Sequence, residues 1–334
     1  MKPRHHGIHF DLPIRLNEKN TSAASIRADA DGAGCTETIR TMCATAMAVV
    51  KAGGFPRICP AAEASMHTFS DLLKKARGDN ELLGTWVHIG APELVDIFGT
   101  CGFDFLIIDM QHSSMSMHTV ENMARACAAN GIVPLVRVAA NLPHLIGGAL
   151  DLGAAAVIVP AISTPTHAEA AVRAARFGPR GERSACPMVR SAGHFTTDWD
   201  GFAERSDGQT GIVMLLETPE GVSNCEEIAK VPGIVALLAG PYDLAVAMGH
   251  GNNLRHPAVS EAISRLLSAA HKAGIPAIVP IFSPAVEECK HSMEQWKKQG
   301  VRIFTVGGDT LFLAHYVRGY VREMRARVQT EVTR

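Results

Sequence analysis

Between Thr68 and about residue 328 the chain repeats one pattern, a short β-branched run followed by an amphipathic stretch, and the count of repeats limits how it can fold. The runs fall at 84–90, 105–110, 133–138, 155–162, 211–218, 234–241, 276–282 and 302–307. Helices are expected near 92–101, 118–130, 142–152, 166–177, 221–231, 256–273, 284–299 and 309–328. Pro92 and Pro143 suit a first helical turn, and Gly102, Gly131, Gly153, Gly274 and Gly300 stand where a left-handed stop is wanted. Eight strand–helix units over about 245 residues predict an α/β fold of the closed (β/α)8 TIM-barrel type. The alternative is a doubly wound open sheet, but no G-x-G-x-x-G follows the first run.

Residues 1–67 lack a sustained period and are expected to form a largely disordered extension; 68–328 make the barrel and 329–334 a tail. His5, His6 and His9 sit in the extension without a framework that would make them a metal site. The apolar patch at 41–51 leaves a mitochondrial transit segment open as an alternative, against which Asp11, Glu18, Asp29, Asp31 and Glu37 supply more acid than such segments carry. Hydrophobic residues at 47% and charged residues at 19% provide a core and argue against general disorder. A formal charge of -1 gives no overall field for nucleic acid or an anionic membrane, so the expected partner is a small molecule. Eight cysteines without a C-x-x-C pair point to reduced thiols in a cytosolic or organellar setting, with the cytoplasm as the expected location. No apolar stretch approaches the roughly 20 residues of a membrane span.

In a barrel, the loops that follow the strands share one face, and that face carries the chemistry. Five polar residues are expected there: Asp109 and His112 after the second strand, Arg137 at the end of the third, Glu217 at the end of the fifth, and Asp243 after the sixth. Glu217 interrupts an apolar run, where an unpaired carboxylate is costly to bury. Asp243 follows 26 residues later, one repeat, which places both carboxylates on neighbouring strands at one height. Such a pair suits a hard divalent cation, Mg²⁺ or Mn²⁺; the plainer reading is that each caps the next helix. Arg137 is suited to a substrate carbonyl or enolate oxygen, or to an ion pair with Glu217 or another rim carboxylate. His112 suits proton transfer, with Asp151 to orient it; alternatively the histidine is structural and Asp151 an exposed helix position. Gly240-Pro241-Tyr242-Asp243 reads as a turn exposing N–H groups to a small carboxylate. The loop at 178–183 is either a mobile flap or a solvated connection, and Gly307-Gly308-Asp309 opens the last helix where an anion would bind.

At these residues the chain resembles the HpcH/HpaI aldolase family, metal-dependent class II pyruvate aldolases of the phosphoenolpyruvate/pyruvate barrel superfamily. The landmarks run in order: Gly84-Thr85-Trp86, Gly102-Phe103-Asp104-Phe105, Ile107-Ile108-Asp109, His112, Val136-Arg137, Leu150-Asp151-Leu152-Gly153-Ala154 and Val159-Pro160. They continue with Pro179-Arg180-Gly181-Glu182-Arg183, Glu217-Thr218, Glu220-Gly221, Gly240-Pro241-Tyr242-Asp243-Leu244 and Val306-Gly307. The resemblance implies that Glu217 and Asp243 ligate a divalent metal (Mg²⁺, Mn²⁺ or Co²⁺) and that Arg137 stabilises the enolate. It further implies that His112 with Asp151 moves the proton, and that the backbone around Gly240, Pro241, Tyr242 and Asp243 receives the pyruvate carboxylate. The implied reaction cleaves a 2-keto-4-hydroxy acid reversibly to pyruvate and an aldehyde.

Gln111 stands where the family commonly has Glu, and Leu215 where many members have Gln. A CoA-thioester lyase of the malyl-CoA or citramalyl-CoA type is the first alternative; it wants a basic strip beside the rim, for which Arg180 and Arg183 are the candidates. A non-catalytic relative that binds a keto acid is the second. The resemblance also implies a homo-oligomer, often a hexamer with an exchanged C-terminal helix. An apolar stripe of Leu313, Tyr316, Val317, Tyr320, Val321 and Met324 fits either docking on a neighbour or closing this barrel.

Overall fold

Gly84 shows how the strands fit together: a Cβ there would lie 2.4 Å from the ring of Phe105, so the glycine leaves room for that ring inside the sheet. The computed structural model describes residues 68–76 and 80–332. In chain order the elements are α1 (Phe69–Lys75), β1 (Leu82–Val87), α2 (Pro92–Cys101), β2 (Phe105–Asp109), α3 (Met117–Asn130), β3 (Val133–Arg137), α4 (Pro143–Asp151) and β4 (Ala156–Val159). They continue with α5 (Pro165–Ala175), α6 (Trp199–Gln209), β5 (Gly211–Leu216), α7 (Pro219–Ser223), α8 (Cys225–Ala229), β6 (Ala236–Ala239) and α9 (Pro241–Ala247). The last are α10 (Pro257–Ala273), β7 (Ala277–Ile281), α11 (Val286–Lys297), β8 (Ile303–Val306) and α12 (Asp309–Val332).

The eight strands pair in sequence order, all parallel, and β1 closes on β8 through Leu82↔Ile303, Leu83↔Phe304 and Gly84↔Thr305. This is the expected TIM barrel, with all eight strands inside the expected runs or within two residues of them. Alternation along the strands divides the core. Phe105, Ile107, Leu135, Ile158, Val213 and Leu238 fill the barrel, while Leu106, Ile108, Val136, Val157, Ile212 and Leu237 face the helices. Helix α1 adds Phe69 and Leu72 to the interior layer. It is held by a capping box in which Thr68 and Asp71 satisfy each other's backbone N–H groups.

Several connections differ from the sequence reading. Helix α6 was not expected, since its apolar period is broken by Gly201, Gly208 and several charges; Asp198 starts it by accepting from Gly201 N–H at 3.0 Å. The single helix expected at 221–231 is two short ones, divided at Asn224, whose side chain donates to Ser163 O at 2.8 Å. Strand β4 stops at Val159 because Ala161 has a left-handed φ of 56°. Helix α12 continues to Val332, past the expected boundary at 328. The stripe on α12 is not used to close this barrel: Tyr316 is 70% exposed, and Leu313, Val317, Tyr320, Val321 and Met324 are exposed with it. Among the described residues, no helix is long and apolar enough to cross a membrane. The expectations for the extension at 1–67 lie outside the described residues.

Candidate active site

Two neighbouring strands, β5 and β6, present the acidic pair. Leu216 registers with Ala239, Glu217 is the next residue after β5, and Asp243 lies in the first turn of α9, just beyond β6. Glu217 is 5% exposed. Its Oε1 accepts from Ala161 N–H at 2.8 Å, a donor aimed by the left-handed turn at Ala161. Its Oε2 is buried and meets no donor among the described residues. Burial pushes the Glu217 carboxyl up to about 7; the Ala161 N–H opposes the rise, and the negative charge of Asp243 adds to it. Gly240 permits this approach, because a Cβ there would lie 2.4 Å from Glu217 Cβ. The Gly240–Asp243 segment is the start of a helix with Pro241 in its first turn, and not a free turn, so Asp243 reaches the rim from a helix and not from a strand end.

Opposite stands a guanidinium already pinned. Arg137, at the end of β3, donates from Nε to Asp109 Oδ1 at 2.8 Å and from Nη2 to Asp109 Oδ2 at 2.6 Å. Its guanidinium carbon lies 4.4 Å from the centroid of the Trp86 ring. Of the two readings for Arg137, the ion pair is therefore present, with Asp109 as the carboxylate. Arg137 still lines the cavity. Burial alone would raise Asp109, but hydrogen bonds from His88 and Arg137 overcome it and hold the carboxyl well below the usual range. Asp109 Oδ1 also accepts from the backbone N–H of Gln111 at 2.9 Å and of His112 at 3.4 Å, so one carboxylate fixes both the arginine and the loop that carries His112.

His88, the residue directly after β1, was not anticipated. Its Nε2 lies 3.2 Å from Asp109 Oδ2 and its Nδ1 3.3 Å from Asp309 Oδ1. The hydrogen bonds to Asp109 and then Asp309 raise its pKa to about 9 against the opposing effect of burial. The anion expected at the start of the last helix is the protein's own: Asp309 accepts from the N–H groups of His88 at 2.9 Å, Ile89 at 2.7 Å and Thr310 at 2.6 Å.

These groups open on a cavity of about 320 Å³. Its wall brings together His112, Arg137, Glu217, Gly240, Pro241, Tyr242 and Asp243 from the expected set, and adds Trp86, His88 and Phe282. Leu215 lies in this wall, where a glutamine would have been polar, and Gln111 has a buried Oε1 that meets no hydrogen-bond partner among the described residues. Asp151 is not brought to His112 within the subunit. It ends α4 beside the start of β4, at the barrel end opposite the rim, and its Oδ1 accepts from Arg183 Nη2 at 2.5 Å. Arg183 is itself buried, with Ser206 Oγ at 3.1 Å and its guanidinium over Phe177, and Arg180 pairs with Asp207 at 2.9 Å. The 178–183 loop is thus neither a flap over the cavity nor a basic strip beside it.

Glu217 and Asp243 are the two neighbouring carboxylates of the cavity wall that could hold a cation. Among the described residues no cluster of three or more His, Cys, Asp or Glu forms a metal cage. A buried carboxylate oxygen without a donor, next to a second carboxylate, fits a hard dication that keeps positions for water and substrate oxygens.

The model of the HpcH/HpaI aldolase/citrate lyase family matches residues 82–315. The chain is 35% identical over 194 residues to the 2-dehydro-3,6-dideoxy-6-sulfogluconate aldolase of Pseudomonas putida, covering 58% of this chain and 75% of that protein. It is 31% identical over 269 residues to the hydroxypyruvate/pyruvate aldolase of Paraburkholderia phytofirmans, covering 78% and 100%. A solved HpcH/HpaI family structure from Burkholderia cenocepacia is similar at 33% identity and a TM-score of 0.70, covering 77% of this chain and 100% of that one. A closed barrel with this rim and these relatives defines a carbon–carbon lyase. The chain belongs to the HpcH/HpaI aldolase/citrate lyase family.

Proposed function

We propose that this protein is a metal-dependent aldolase that cleaves a 2-keto-4-hydroxy acid, reversibly, into pyruvate and an aldehyde. One observation carries the reading: Glu217, with its donor-free Oε2, and Asp243 share a cavity with the guanidinium of Arg137. Glu217 and Asp243 hold the divalent ion, of the Mg²⁺, Mn²⁺ or Co²⁺ class, which when bound acts as a Lewis acid toward a keto oxygen. Arg137, fixed at Nε and Nη2 by Asp109, turns its remaining N–H toward the same keto oxygen, where negative charge develops as the C3–C4 bond breaks. A ring nitrogen of His112 takes the proton of the C4 hydroxyl in cleavage and returns it in condensation. The backbone from Gly240 to Asp243 receives the substrate carboxylate, and Pro241 and Tyr242 shape that end of the cavity. Asp151 takes no part within the subunit, since Arg183 already engages it.

The thioester-lyase alternative loses its support, because Arg180 and Arg183 are paired with carboxylates away from the rim. The enzyme with Mn²⁺ is expected to release pyruvate from a panel of 2-keto-4-hydroxy acids, read by coupled lactate dehydrogenase, and to stop on addition of EDTA. Release of glyoxylate from malyl-CoA with no pyruvate from the panel would replace this reading with the thioester lyase.

The exposed stripe on α12 supports a homo-oligomer, with a hexamer as the form the family resemblance favours. The double variant Tyr316→Glu, Tyr320→Glu is then expected to sediment as a smaller species than wild type. The cysteine pattern supports placing the enzyme in the cytoplasm.

A further inference from the structure

Four charged side chains from four parts of the barrel form one line, of which His88 and Arg137 reach the cavity wall: Asp309 at the start of α12, His88 after β1, Asp109 at the end of β2 and Arg137 at the end of β3. Each contact in the line is within 3.3 Å. His88 Nδ1 meets Asp309 Oδ1 at 3.3 Å, His88 Nε2 meets Asp109 Oδ2 at 3.2 Å, and Asp109 meets Arg137 through two bonds at 2.8 and 2.6 Å. Both carboxylates are almost fully buried, Asp109 at 0% and Asp309 at 1% exposure.

We propose that His88 is a positioning residue for the aldolase reaction: it holds Asp109 at Oδ2, the oxygen that also accepts from Arg137 Nη2, and so fixes where the guanidinium points into the cavity.

The geometry limits His88 to this work. Both ring nitrogens face carboxylates, so the ring has no polar atom left for a substrate. Two N–H donors are needed to satisfy both carboxylates, which a neutral imidazole cannot supply. Charge agrees, since two buried carboxylates are balanced by two cations, His88 and Arg137. The hydrogen bonds that its ring N–H groups donate to Asp109 and Asp309 keep His88 protonated through neutrality. Without His88, Asp309 keeps its three backbone donors, but Asp109 Oδ2 is left with Arg137 alone. Asp109 can then rotate, and Arg137 and the backbone of His112 move with it. The ring also lies alongside Trp86, with centroids 6.5 Å apart and planes at 24°, and Trp86 is the surface on which Arg137 rests.

The inference rests on the aldolase reading, and the test separates the two. Exchange of pyruvate methyl protons for deuterium, followed by NMR in D₂O with Mn²⁺, reports enolate formation without an aldehyde. His88→Ala is expected to lower the maximal exchange rate by about 10- to 100-fold, the scale of an ångström-sized misplacement. The KM for pyruvate should stay within about threefold, because binding to the carboxylate pair is untouched. Imidazole added to His88→Ala should restore a saturable part of the rate, by entering the vacated slot between Asp109 and Asp309. His88→Gln, which keeps a single donor nitrogen and loses the charge, should fall between the two and covers the case in which His88→Ala does not fold. Full activity in a folded variant overturns the inference alone. A loss that imidazole does not relieve, with KM rising in step, overturns it as well, since that marks a general structural defect. A wild-type enzyme that exchanges no protons overturns the aldolase reading and this inference with it.

Discussion

Metal-free Glu217→Gln is expected to bind Mn²⁺ at least about 100-fold more weakly than wild type, and to lose turnover to the same degree, while its melting temperature is equal or higher. The floor on affinity follows because groups that only orient a metal ligand already change affinity by about 10- to 100-fold, and Glu217 is placed as a ligand itself. Stability should not fall, because glutamine keeps the size of the side chain and an oxygen to accept from Ala161 N–H. It also removes a buried charge whose second oxygen meets no donor. Titration calorimetry, the coupled pyruvate assay and a melting curve on one preparation check all three. Unchanged Mn²⁺ affinity would remove Glu217 from the metal site.

Arg137→Met should lower turnover by about 10²- to 10³-fold, the cost of losing one preorganised donor at a developing oxyanion. It should also destabilise the protein by about 3–5 kcal/mol, since Asp109 is fully buried and would lose one of its two cationic partners. Arg137→Lys separates the two effects. A lysine returns a positive charge to Asp109 and should recover much of the stability, but it lacks the fork that bonds both carboxylate oxygens while leaving an N–H for substrate. Steady-state kinetics beside denaturant unfolding will show stability recovering and turnover lagging if Arg137 works through geometry.

The eight strands were readable because each is a short buried run bounded by turn residues, and parallel barrel strands carry little else. Glu217 was readable for a related reason, as a charge directly following an apolar strand. His88 escaped because the apolar character around it extends to Ile89 and Gly90, so the strand was drawn through the histidine and its rim position was hidden. The signal was available: β1 ends at Val87, and a histidine one place past a strand stands where the chemistry is. Asp151 lies apart from His112 within the subunit, and the sequence hid this for the opposite reason. Spacing along one helix cannot show which end of the barrel that helix end reaches, and the run of the chain from α4 into β4 puts it away from the rim. Helix α9 reads as a turn in the sequence because Gly240-Pro241 suits both, and the bonds from Leu244 N–H to Gly240 O at 3.1 Å and from Met248 N–H to Leu244 O at 2.9 Å make it a helix.

Diffraction from crystals of the enzyme soaked with Mn²⁺ and pyruvate, with the ion located by its anomalous signal, bears most directly on the shared role of Glu217 and Asp243. One ion per subunit is expected, with both carboxylates and the pyruvate keto oxygen in its coordination shell and Arg137 beside that oxygen. An ion bound elsewhere, or pyruvate seated in the cavity with neither carboxylate on the metal, would contradict it.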